Sequence, residues 1–348
     1  MKNINPMFDG ESLITPNSIA AEIFVAKNTE KRSDDRALAE AELAITLNLI
    51  EKMISNENHP STIMSFTVER LCEMRKKFTP VVWSELIPFI QNNSSAQYFQ
   101  NDPFTKWSVM KPRGYSGDAQ LIDFIYRHES MNNHIVAASE LGQCLHGYAM
   151  EVSSSVAVRE RRDLLTRHID EMASSYGGEL EILTIAAGHL REANRSSALQ
   201  NAQIKRWIAL DQDPLSVGAM RREFAGTCVD PVDGSVRSLL TNQHDLGEFN
   251  FVYASGLYDY LNDKVAIKLT RKCLSMLKPN GVFLFANFTE ENSNAAYMET
   301  YMNWALLMRS EADMWRIIHE SCKDMDVDCQ VRFGENRNIV YGFIRRKD

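Results

Sequence analysis

Between residues 34 and 55 the apolar side chains Leu38, Leu43, Ile45, Leu47, Ile50 and Met53 recur at helical spacing among Glu, Lys and Arg, with no Gly or Pro inside. Residues three and four apart share one face of a helix, so this pattern predicts an amphipathic helix. A second is predicted over 61–77 on Ile63, Phe66, Val68, Leu71 and Met74, and a third over 81–91 after Pro80. Residues 92–116 carry Asn, Ser, Asp, Pro and Gly and read as an ordered but irregular connection. Helical patterns resume over 119–126, 131–148 and 156–176, where the pair Gly177 and Gly178 ends the last of them.

The pattern then shortens. Apolar runs over 181–186, 204–210 and 249–254 read as buried strands, and 235–239 is a candidate third strand between the last two. A helix over 264–277 is expected to stop at Pro279-Asn280-Gly281, followed by a strand over 282–288. A last helix over 302–322 precedes strands over 326–333 and 339–345, joined through Gly334, Glu335 and Asn336. Strands alternating with helices imply a parallel sheet with right-handed crossovers. The expected fold is therefore α/β: a Rossmann-like sheet ending in an antiparallel hairpin, preceded by a mostly helical N-terminal domain. The boundaries read as 1–33 loosely ordered, 34–176 helical and lid-forming, and 177–348 Rossmann-like.

Composition narrows the picture. With 348 residues the chain is long enough for a catalytic domain plus a sizeable helical addition. Its net charge is −8, and the basic residues of 69–77 and 159–167 are interleaved with acidic ones, which argues against nucleic acid as a partner. The N-terminal sequence lacks a basic segment followed by an apolar run, and no stretch approaches the ~20 apolar residues of a membrane span. A cytoplasmic protein without membrane insertion is expected. The six cysteines form no Cys-x-x-Cys pair and the eight histidines no His-x-x-x-His pair. Free thiols, no structural zinc and no protein-bound metal are the corresponding expectations. The long N-terminal helices offer a candidate homodimer contact.

Three constellations carry chemistry. The first runs through Ala187, Gly188, His189, Leu190, Arg191 and Glu192 after the first strand, where a glycine lets the backbone approach a ligand and a following helix would aim amides at negative charge. The second is Asp211-Gln212-Asp213-Pro214 at the end of the next strand, ~20 residues on, where a carboxylate can accept both ribose hydroxyls of a nucleoside. Asp213, just before Pro214, also fits a plain helix cap. The third is Ala254-Ser255-Gly256-Leu257-Tyr258-Asp259-Tyr260 with Asn287 after the following strand. At the carboxyl ends of parallel strands side chains project into the ligand crevice, so Tyr258, Asp259, Tyr260 and Asn287 are expected to face it.

In this order the segments resemble class I S-adenosylmethionine-dependent methyltransferases over residues 181–346. More narrowly, Lys111-Pro112-Arg113-Gly114-Tyr115-Ser116-Gly117-Asp118-Ala119 and the run from Ala254 to Leu261 are similar to a bacterial group that includes the enzymes making 3-hydroxy fatty acid methyl ester signals. The glycine turn of that group commonly ends in Arg-Glu, as Arg191-Glu192 does here, whereas Ala187 and His189 stand where its members usually carry Cys or Ser and Pro. The resemblance implies S-adenosylmethionine as cofactor, with Glu192 or Asp211 on the ribose and the backbone near Gly188 at the methionine end. It also implies that Ser235, Val236 and Arg237 lie beside the adenine, with Ala187, Arg191, Gln212, Ala254, Ser255 and Gly256 completing the cofactor site. It points to a small-molecule acceptor, through O-methylation of a carboxylate or N-methylation of an amine or guanidine, in secondary-metabolite or signal biosynthesis.

The loop fixed by Pro112, Gly114 and Gly117 is the clearest feature outside that half. Tyr115 is expected to cover the cofactor and Arg113 or Asp118 to orient the substrate or the loop, the plain alternative being an Arg–Asp pair that only clamps the loop. If an amine is methylated, Asp118 or Asp259 is the candidate proton acceptor. If the acceptor is a carboxylate, Arg113, Tyr258 or Asn287 need only orient it. Tyr301, Trp304 and Met308 fall on one face of the last predicted helix, so the aromatic pair could wall an acceptor pocket. His168, His189 and His244 read as structural. Two other function classes stay open: a non-catalytic module that senses the cofactor, and an NAD(P)-dependent oxidoreductase.

Overall fold

The computed structural model describes residues 33–323 and 325–347. The expectation of a loosely held N-terminus falls almost wholly outside them. Two compact units emerge, one from residues 33–156 with 292–306, the other from 157–291 with 307–347. The boundary thus differs from a simple cut at 176: the helix Ser153–Tyr176 belongs to the second unit from Ala157 onward, and residues 292–306 return to the first.

In the first unit the helices Ser33–Ser55, Pro60–Lys77 and Pro80–Gln91 form where the apolar spacing predicts them. The buried stripe of the first is Ala39, Leu43, Thr46, Leu47 and Ile50, whereas Leu38 and Ile45 point outward. The presumed irregular connection 92–116 contains two further helices, Ser95–Phe99 and Pro103–Met110, and the second of these is capped by Asp102. The pattern over 131–148 is broken into Asn132–Val136 and Glu140–Glu151, because Ser139 adopts an extended backbone and caps the second piece. The returning segment carries Glu299, fully buried, which accepts from the Arg75 guanidinium at 2.8–3.0 Å and from the Trp83 indole at 2.7 Å.

The second unit is a seven-stranded sheet: β1 Leu180–Ile185, β2 Ile204–Asp211, β3 Val229–Asp233, β4 Phe249–Ala254, β5 Leu277–Phe288, β6 Val327–Phe333 and β7 Ile339–Arg346. The order is β3-β2-β1-β4-β5-β7-β6, with β1 to β5 parallel and β7 antiparallel between β5 and β6. This is the Rossmann-like sheet ending in an antiparallel hairpin that the sequence predicts. Strands β1 and β4 are buried along their whole length because both faces are covered. One face packs Leu183, Ile185, Val252, Phe283, Phe285, Val340 and Ile344 under the helices Asp263–Ser275 and Glu311–Ser321.

Four sequence expectations are corrected here. The third strand is 229–233, not 235–239; it is an edge strand, where Pro231 costs no ladder bond. Residues 235–239 lie in and beside the helix Val236–Leu240, started by a capping box between Ser235 and Ser238. Pro279-Asn280-Gly281 lies inside β5 as an irregularity in its pairing with β4, and the preceding helix has already ended at Ser275. The last helix spans only Glu311–Ser321, because Ser310 and Asp313 form its capping box. Tyr301, Trp304 and Met308 therefore share no helical face.

Gly342 on β7 is opposite Phe285 of β5, and a Cβ there would lie 2.5 Å from the Phe285 ring. Replacing Gly342 by Ala is expected to destabilise the protein by about 1–3 kcal/mol through overpacking, measured as a lower midpoint in urea unfolding. An unchanged midpoint would mean that the ring moves aside freely.

Candidate functional site

At the carboxyl end of the sheet, β1 runs into a turn in which Ala186, Gly188 and Leu190 all have positive φ, at 54°, 58° and 52°. The turn continues to a single 3-10 turn at Ala193–Arg195, with no helix following Gly188 directly. The expectation that helix amides converge on this turn is thereby corrected.

Asp211, the last residue of β2, ties the loops together. Its carboxylate accepts from the Gly188 amide at 2.7 Å and from the Asp213 amide at 2.8 Å, and its carbonyl accepts from the Gly234 amide at 2.9 Å. The Ala187 amide meets the carbonyl of Leu210 at 3.1 Å. Ala187, Gly188, Asp211, Ser235 and Val236 are thus drawn into one cluster formed by three adjacent loops. Asp213 caps the helix Pro214–Glu223, as its position before Pro214 suggested. Burial holds the Asp211 carboxyl up at about 6, and nearby Asp213 pushes the same way against the two amides.

Glu192 occupies the other side of the turn. It is buried, and the Tyr253 hydroxyl of β4 donates to it at 2.6 Å, while Thr166 donates to its carbonyl at 3.1 Å. Burial raises the Glu192 carboxyl; the Tyr253 bond, Arg161 and Arg162 oppose that. Arg161 comes from the helix Ser153–Tyr176, is itself buried, and lies with Nη2 3.7 Å from where a Cβ on Gly256 would be. It influences both Glu192 and Asp259. In the sequence it belongs to a run of interleaved charges, and only the packing of that helix on the sheet reveals it.

Other predicted residues do different work. Arg191 pairs with Glu223 at 2.7 Å, which also holds Asn194, so its guanidinium is spent on fastening the turn. Tyr258 is fully buried and its hydroxyl meets Thr270 at 2.8 Å. Asp259 accepts from the Phe288 amide at 2.6 Å, and Asn287 donates to the carbonyls of Phe288 and Leu307 at 2.8 Å. Burial pushes the Asp259 carboxyl up to about 6. All three surround Arg309, 4% exposed, whose guanidinium donates to the Tyr258 carbonyl at 2.6 Å, to Asn287 Oδ1 at 2.5 Å and to the Leu261 carbonyl. The expectation that Tyr258, Asp259 and Asn287 project into an open crevice is corrected: a buried arginine, unremarkable in the sequence, gathers them into a structural knot. Ser255, Gly256 and Gln212 are half-buried, and Ala254 is fully buried.

In the first unit, Gly114 and Gly117 have φ of 85° and 74°, conformations that favour glycine. Asp118 caps the helix Ala119–Ile125 and accepts from the Trp107 indole at 3.1 Å, with Arg113 Nε 3.8 Å away. The geometry matches the loop clamp and leaves Asp118 committed to backbone amides. Tyr115 is half-buried on the same loop. Tyr301 packs on Phe99 at 4.5 Å with its hydroxyl against Ser95 at 2.7 Å, and Trp304 is buried, so both are core residues of this unit. No group of His, Cys, Asp and Glu able to hold a metal ion occurs among the described residues, nor any helix long and apolar enough to cross a membrane.

No family model and no curated protein matches the chain. Among solved structures it is similar to a protein from Bordetella parapertussis described as a possible exported protein, at 13% identity and a TM-score of 0.53, over 89% of this chain and 97% of that one. It is also similar to the N-methyltransferase NodS from Bradyrhizobium japonicum WM9 in complex with S-adenosyl-L-homocysteine, at 14% identity and a TM-score of 0.40, over 65% of this chain and 100% of that one. A third is magnesium protoporphyrin IX methyltransferase (ChlM) from Synechocystis PCC 6803 with bound S-adenosylmethionine, at 9% identity and a TM-score of 0.39, over 67% and 99% respectively. The likeness to the Bordetella protein is one of fold.

Replacing Tyr253 by Phe removes the hydroxyl that satisfies the buried Glu192 carboxylate. A loss of about 1–3 kcal/mol at neutral pH is expected in urea unfolding. An unchanged midpoint would mean that the hydroxyl adds nothing to holding the buried Glu192 side chain.

Proposed function

We propose that the chain is an S-adenosylmethionine-dependent methyltransferase acting on a small-molecule acceptor. The observation that carries this reading is the cluster at the ends of β1 and β2, where a glycine turn and the Asp211 carboxylate are in direct contact. A nucleoside needs an acceptor for its two ribose hydroxyls beside a backbone that admits close approach. Each oxygen of the Asp211 carboxylate accepts one described amide bond and so keeps further lone-pair capacity for such a diol. Gly188 supplies the close approach, and Ser235 and Val236 begin a helix one loop away, at the position where the resemblance puts the adenine. The donor and acceptor set therefore fits an adenosyl group.

Bound there, the cofactor would supply a methyl on a sulfonium, an intrinsically good leaving group. The protein's own part is then chiefly alignment and exclusion of water. Glu192 and Asp211 would hold the sugar. Arg161, buried near Gly256, would keep a positive charge where Glu192 and Asp259 need one, holding both carboxylates in place. No dedicated base is required for an acceptor that is already ionised.

Isothermal titration calorimetry with S-adenosyl-L-homocysteine tests the proposal and gives it a pH signature. Ribose hydroxyls donate to the ionised carboxylate, so binding lowers the Asp211 pKa from about 6 in the free protein. Affinity is expected to be constant above that value and to fall below it, by up to about tenfold per pH unit. Asp211→Asn should weaken binding by roughly 10- to 100-fold at neutral pH and remove the inflection. Binding of NAD in place of S-adenosyl-L-homocysteine would overturn the reading in favour of an oxidoreductase.

A further inference from the structure

The face of β6 and β7 opposite the main core carries a second, chemically distinct feature. Along β6 the side chains alternate, and Asp328, Gln330 and Arg332 fall on this face with Tyr341, Phe343 and Arg345 of β7. The helix Ser153–Tyr176 flanks it and presents Leu164, Arg167, His168 and Glu171, spaced three, four and seven residues from the first, so all on one side of the helix. Between helix and strands lies a groove of about 420 Å³, within the range that holds a small organic molecule.

Its rim is solvent-exposed, with Arg167, Glu171, Asp328, Gln330, Arg332 and Arg345, while Leu164, His168, Phe333 and Phe343 are half-buried and Val282 is buried. Arg167, Arg332 and Arg345 converge on one groove, yet none of them forms an ion pair among the described residues, although Glu171 and Asp328 line the same walls. Arg332 lies over the Phe343 ring at 5.5 Å and donates to Gln330. His168 is wedged edge-on against Phe251 and Phe343 at 5.2 and 5.9 Å, and its buried Nε2 has no hydrogen-bond partner among the described residues. Guanidinium groups present a planar fork suited to a carboxylate, and here they line the same groove as the apolar side chains of Phe343, Phe333, Val282 and Leu164. We propose that this groove is a binding site for a small aromatic carboxylate, separate from the loop cluster at the ends of β1 and β2, with Arg332 and Arg345 taking the carboxylate and the ring lying on the apolar side chains beside Phe343.

A bound carboxylate also leaves a mark on His168. Burial lowers its pKa, Arg332 and Arg345 add to that, and Glu171 opposes them. Arg167 and Asp328 are the other charged groups of the groove. Neutralising the arginines with a bound anion should therefore raise the His168 pKa.

The test is to titrate the full chain with phenylacetate, following affinity by calorimetry and the imidazole of His168 by NMR, with phenylacetamide and inorganic phosphate as control probes. Saturable binding of phenylacetate is expected, at least about tenfold tighter than either control, with an upward shift of the His168 pKa. The double variant R332Q/R345Q should lose at least about tenfold in affinity and the pKa shift. R332K/R345K should recover part of the affinity, since charge remains while the fork is gone. Titration of the same variants with S-adenosyl-L-homocysteine should be unchanged and verifies that they are folded. No binding, binding equal to that of phenylacetamide, or binding indifferent to R332Q/R345Q in a folded protein would overturn the proposal.

Discussion

The second unit depends on one carboxylate. Asp211 ends β2 where three loops must meet, and by accepting the amides of Gly188 and Asp213 while its carbonyl takes that of Gly234, it ties the turn after β1 to the loop after β3. No long helix follows the turn to shape it, and its three residues in left-handed conformation require outside support. A charged group is held in a buried place because each oxygen is hydrogen-bonded, while burial and Asp213 still hold its carboxyl up at about 6. The group that shapes the turn is also the one best placed to accept a sugar's hydroxyls, so shape and chemistry are hard to separate here.

Burial of charge recurs elsewhere with the same logic. Arg309 gathers the Tyr258 and Leu261 carbonyls and the Asn287 side chain, fixing the chain after β4 against the chain after β5. Glu299 does the corresponding work in the first unit, with both Arg75 and the Trp83 indole on it. Buried ions add little net stability over a well-packed apolar pair, but removing one partner is expensive, so each fixes which segments lie together.

What the sequence made legible follows from how local the signals are. The strands β1, β2, β4, β6 and β7 and the long helices announce themselves through continuous or periodic apolar runs, and Gly188 and Asp211 through their place at strand ends. β3 escaped because an edge strand tolerates Asp230, Pro231 and Asp233, which look like a turn. The segment 302–310 was misjudged because Tyr301 and Trp304 are apolar for reasons of long-range packing, and helical spacing arose there by coincidence. Arg161 and Arg309 were invisible, since a charged residue in a mixed run is normally solvated, and nothing nearby in the chain says that the segments following the central strands will cover it. Tyr258, Asp259 and Asn287 were found at the correct strand ends, but whether such side chains face outward or knit the loops depends on a partner some 20 to 50 residues away in the chain.

The return of residues 292–306 to the first unit bears on how the chain is made. That unit is otherwise built from residues before 157, but the acid that answers Arg75 and Trp83 is Glu299, more than 200 positions later. During synthesis the N-terminal helices acquire this acid only after most of the sheet-forming sequence has left the ribosome. A chain interrupted within β5 would lack Glu299, and with it the hydrogen bonds that Arg75 and Trp83 make to this carboxylate.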